Sequence, residues 1–61
     1  MDELLKFAKD RNADQVYAIL ESDYQHDEPL DKIRRGYEKG LVEDDFFCQV
    51  IETILYLRHG K

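Results

Sequence analysis

The chain predicts an all-α protein, a small compact bundle of four short helices folded as two antiparallel hairpins. Three observations carry that expectation. Apolar residues recur at spacings of three and four in four separate segments. Polar or glycine breaks at Asn12, at Gln25-His26-Asp27 and at Gly40 divide those segments. The stretch from Tyr37 to Phe47 reads as one helix stopping and the next starting, with an acidic first turn and an aromatic pair behind it.

The first helix is expected from about Asp2 to Asp10. Leu4, Leu5 and Ala8 form its apolar stripe with Phe7 beside them, and Lys9 and Arg11 suit the negative end of the helix dipole. The second starts after Asn12, a good N-cap with Gln15 at capping-box spacing. Val16, Ile19, Leu20 and Tyr24 give its stripe, flanked by Tyr17. Asp27 is placed to cap the third helix, with Pro29 in the first turn, where a missing N–H costs nothing. Leu30, Ile33 and Tyr37 line that helix, and Glu28 with Lys32 and Asp31 with Arg35 are acid-before-base pairs four apart. Gly36 weakens it or permits a close helix contact, and Gly40 supplies a positive-φ stop. The fourth helix runs from about Asp44 to Leu57 and carries the widest apolar face, so it belongs at the centre of the core. Gly60 ends it.

At 61 residues there is room for a single domain, 1–61. So short a chain buries only about 60% of its unfolded surface and is marginal alone. Its one cysteine, Cys48, cannot make an internal disulfide, and one Cys with two His falls short of the four ligands of a closed zinc site. Stability must come from dense packing or from association. The 14 acidic and 9 basic side chains leave a net charge of −5, which disfavours sequence-independent nucleic-acid binding. There is no apolar run long enough to span a membrane. Met1-Asp2-Glu3 lacks the basic region of a secretory signal, so the expected location is cytoplasmic.

Two family resemblances accompany this reading. The third and fourth segments, residues 28–57, resemble a SHOCT-type helical hairpin at Leu30, Ile33, Tyr37, Gly40, Leu41, Val42, Asp44, Asp45 and Phe46. In place of the basic stretch usual after that phenylalanine stands Cys48-Gln49-Val50-Ile51. The resemblance implies a small interaction or oligomerisation module, not an enzyme. The first two segments are similar to an ankyrin helix pair at Leu4, Leu5, Ala8, Asn12, Asp14, Val16 and Leu20, without that repeat's Thr-Pro-Leu-His start.

No residue set presents itself as catalytic, and no cofactor or metal is expected. His26 stands among Asp23, Asp27, Glu28 and Asp31, but a helix start separates Asp23 from the rest and there is no calcium-loop pattern. Glu43, Asp44 and Asp45 have no Ser, Thr or His at motif spacing and suit a helix N-terminus. Cys48 reads as a structural thiol. What remains points to protein binding. Four tyrosines are present, and Tyr17 and Tyr56, with Phe7, flank their apolar stripes as candidate anchors. Glu43, Asp44 and Asp45 are candidate partner-facing charges, as are Asp10, Asp14, Glu21 and Asp23. Lys32, Arg35 and Lys39 share one stripe with Arg34 beside it. The expected function is a small acidic regulator or inhibitor that occludes a surface on another protein, one with a basic surface. The alternatives are a homo-oligomeric module using Phe47, Ile51, Ile54 and Leu57, and a helical nucleic-acid-binding domain using Lys32, Arg34, Arg35 and Lys39.

Overall fold

Four helices succeed one another across short joints in the computed structural model, which describes residues 2–59: α1 (Asp2–Lys9), α2 (Ala13–Asp23), α3 (Glu28–Glu38) and α4 (Asp44–His59). Met1 and the stop assigned to Gly60 lie outside the described residues. All four expected helices form, and among the described residues no helix is long and apolar enough to cross a membrane.

Two of the helices stop in the same way. Gly40 adopts φ 80°, its N–H donating to the Tyr37 carbonyl at 3.0 Å while that of Leu41 donates to Gly36 at 2.9 Å. This pair of bonds is a Schellman stop, and glycine suits its left-handed residue. At the end of α1 the left-handed residue is Arg11, φ 59°. Its N–H donates to Ala8 at 3.1 Å and that of Asn12 to Phe7 at 2.9 Å. Left-handed backbone costs a non-glycine residue roughly 1–2 kcal/mol. The Arg11 side chain offsets that cost with hydrogen bonds to the Ala8 carbonyl at 2.8 Å and to Glu52 on α4 at 2.9 Å. Its Nε also lies 3.3 Å from Asp45.

The expected side-chain caps do not form. Asn12 precedes α2 but its backbone, φ −91° and ψ 79°, is set by the α1 stop, and its side chain makes no cap bond. Asp27 precedes α3, but its carboxylate accepts two bonds from Arg58, both at 2.6 Å. That pair joins the start of α3 to the end of α4, so the second hairpin is antiparallel.

The core is one cluster. Leu4 and Ala8 of α1, Ala13, Val16 and Leu20 of α2, Leu30 of α3, and Phe47, Cys48, Ile51 and Leu55 of α4 are all buried. The expected centrality of α4 holds: it supplies four of these buried residues and packs against each of the other three helices, as α2 also does, while α1 and α3 do not meet. Phe47 is the largest fully buried side chain. Its ring stacks on Tyr37 with centroids 4.2 Å apart and planes 14° apart, and Tyr37 in turn packs on Tyr17 at 5.9 Å. Hydrogen bonding to Asp44, together with burial, raises the Tyr37 pKa and keeps the hydroxyl protonated. Phe47 and Ile51 therefore belong to the monomer's own core and not to a surplus face, because α4 turns them inward.

Two outcomes follow from this packing. Phe47→Ala should cost about 3–5 kcal/mol, a large share of a small domain's stability, seen as loss of helical circular dichroism on mild heating; Phe47→Leu should remain folded. The Arg58 guanidinium holds the Asp27 pKa below its ordinary value. The pair's contribution is complete above the unfolded carboxylate pKa of about 3.9 and is lost as pH falls through the lower folded value. Urea titrations of wild type and Arg58→Met should accordingly converge in acid and diverge toward neutral pH.

Candidate functional site

An α-helix advances about 100° per residue, so Phe46, Val50, Thr53, Ile54 and Leu57 occupy one arc of α4. The neighbouring arc, Phe47, Cys48, Ile51 and Leu55, is the buried one. The surplus apolar face expected on this helix thus exists, but it starts one residue earlier than the buried set. Phe46 is 56% exposed and Leu57 81%, and Leu41 in the preceding joint is 77% exposed.

Between this arc and α3 runs an open groove of about 410 Å³. Pro29, Lys32, Ile33 and Gly36 form the α3 wall, and Val50 and Ile54 the α4 wall. Leu41 and Val42 close it at the joint. Gly36 shapes this floor: a Cβ there would stand 3.2 Å from the Val42 side chain, which would have to give by a few tenths of an ångström to admit a larger residue. A second recess of about 430 Å³ adjoins it, lined by Glu28, Arg35 and Lys39, and shares Lys32, Gly36 and Leu41 with the groove. The two form one surface, apolar along α4 and cationic along α3.

The cations on α3 are not equivalent. Arg34 turns inward, with its guanidinium 5.6 Å from the Tyr17 ring centre and bonded to Asp31 at 3.0 Å and Glu38 at 3.1 Å. Arg35 pairs with Asp31 at 3.2 Å, as its spacing predicts, yet remains half exposed. Lys32 and Lys39 make no ion pair among the described residues; the expected Glu28–Lys32 pair is not formed. The nucleic-acid alternative thereby loses Arg34 from its exposed stripe.

The expected partner-facing residues occupy several parts of the surface. Lys32 and Arg35 flank the groove. Glu43, Asp44 and Asp45 are exposed at the start of α4, with Asp45 close to Arg11. Tyr17 is half-buried against Tyr37 and under Arg34, which removes it as an exposed anchor; burial, then the Glu38 charge, raises its pKa. Tyr56 is exposed on the flank of α4 away from the groove, with the Lys9 ammonium 5.8 Å from its ring centre. Phe7 packs against the core. Cys48 is buried, and burial pushes its thiol pKa up. His26 is exposed, and among the described residues no group of His, Cys, Asp and Glu is placed to hold a metal.

The groove residues Leu41 and Val50, with the exposed Phe46 on the adjoining arc, are the ones sequence reasoning missed as a site. The signal was the 46, 50, 54, 57 spacing, which becomes legible only once the Phe46–Phe47 pair is divided between surface and core. Leu41 and Val50 do not pack on the buried cluster, so Leu41→Glu and Val50→Glu should each shift the urea midpoint negligibly, by less than about 0.5 kcal/mol in stability. No family model matches this chain, and comparison with curated proteins and with solved structures finds no relative.

Proposed function

We propose that this chain is a small acidic regulator that binds another protein and acts by covering a surface on it. The observation that carries the reading is the α3–α4 groove, an open apolar trough that the described residues leave unfilled. Contiguous exposed apolar surface rimmed by charge marks interaction sites more than it marks monomer packing. The SHOCT-like pattern over residues 28–57 implies the same class of module. Occlusion needs no catalytic group. A rigid domain seated on a partner through the groove would exclude whatever else uses that partner's surface.

The exposed Phe46 and Leu57, with half-buried Val50 and Ile54 on the same arc, favour a second reading, a homo-oligomer formed through the same face. One experiment separates the two. A photo-crosslinking residue replaces Leu41, or Gln15 on α2 as a control, in the native host. The regulator reading expects a discrete adduct with another protein from position 41 alone, lost in the Val50→Glu background. An adduct of two copies, matched by a dimer in sedimentation, supports the oligomer instead. Equal labelling from both positions removes the groove from either reading.

A further inference from the structure

We propose that the groove receives a short acidic amphipathic helix of the partner. Its apolar side chains seat over Ile33, Val42, Val50 and Ile54, and a row of carboxylates on one flank faces Lys32, Arg35 and Lys39. This rests on the protein-binding reading and names the chemistry of its partner.

The argument begins with shape. Both walls of the groove are helices, so their backbone groups are already paired and no strand edge is on offer. Recognition has to come from side chains, which is the helix-in-groove mode, with anchors repeating at three and four residues. The α3 wall is 11 residues long, so it matches a ligand of about three helical turns.

Charge then fixes the ligand's sign and orientation. Lys32, Arg35 and Lys39 follow at i, i+3 and i+7 along one edge of the groove. On the opposite side, the α4 wall is Val50 and Ile54, both uncharged. Glu28 is the one carboxylate lining the recess. A helix lying in the trough therefore meets positive charge on one flank and none on the other. Carboxylates repeating at three and four residues on the matching flank would each find a cation. The net charge of −5 opposes an acidic ligand only at long range, because salt screens beyond about 10 Å and Lys32 and Lys39, unpaired among the described residues, lie at contact distance. A second copy of the chain is the weaker occupant. It would bring another net −5 and, at the start of α4, three exposed carboxylates that are not arrayed along an apolar helix stripe.

The test uses the full chain and two fluorescent synthetic helical peptides. Both carry leucines at i, i+4 and i+7; one has glutamates along one flank and the other lysines in the same places. Fluorescence anisotropy at low salt should show micromolar binding of the glutamate peptide and little of the lysine peptide. The Lys32→Glu/Lys39→Glu double variant, checked as folded by circular dichroism, should weaken the glutamate peptide about tenfold, as loss and reversal of two surface ion contacts implies. Leu41→Glu should abolish binding. Equal binding of the two peptides, preference for the lysine peptide, or no binding overturns the proposal. So does a dimer in sedimentation that Leu41→Glu abolishes, which would assign the face to a second copy. If a protein crosslinked through position 41 contacts the groove without an acidic amphipathic helix, this inference fails while the protein-binding reading stands. If position 41 captures no protein, both fail.

Discussion

Ten buried residues hold four helices together, and the stacking of Phe47 on Tyr37 at their centre is the contact on which the others depend. The ring fills the space where α4 meets α3, and α4, like α2, touches all the other helices. Because the core is so small, each of its members carries an unusual share of the stability. The same economy explains the surface. With one arc of α4 packed into the core, no other element among the described residues covers the adjacent arc, and the apolar groove is the remainder.

Much of this organisation is legible in the sequence because its determinants are local. The stop at Gly40, Pro29 in the first turn of α3 and the spacing of three and four in α4 act over a few residues, and the helices form where those signals put them. The departures arise mostly from contacts between helices. Asp27 has the composition of a cap, but its carboxylate is claimed by Arg58, 31 residues away. Arg11 reads as a charge at a helix end, whereas it takes the left-handed position and reaches α4, 41 residues on. Arg34 reads as one of a solvent-facing row and is drawn inward by Tyr17 and two carboxylates. Only Arg34 has part of its signature in its own helix, in Asp31 three residues before it and Glu38 four after.

The candidate site was hidden for a related reason. Its two walls come from different helices, and its floor forms where Val42 approaches Gly36 closely. Adjacent phenylalanines also make the boundary between core and surface ambiguous by one residue, and that residue decides which apolar set is left over. Charge was misleading in a different way. A total of −5 describes the whole chain, yet the wall of α3 beside the groove is locally cationic. Short-range recognition responds to the local pattern, and long-range steering responds to the total.

The polar clamps at the two ends of α4 act as rotational stops. Arg11 grips Asp45 near its start and Glu52 midway, and Asp27 grips Arg58 near its end. An apolar core alone discriminates poorly between adjacent angular settings of a helix that is apolar over so wide an arc. Turning α4 by one residue would exchange Phe46 for Phe47 and replace the groove's floor with a different set of side chains. The identity of the exposed face is therefore written in three ion pairs that lie outside it. Substitutions at those distant positions could retune what the molecule recognises while every residue of the recognition surface stays the same.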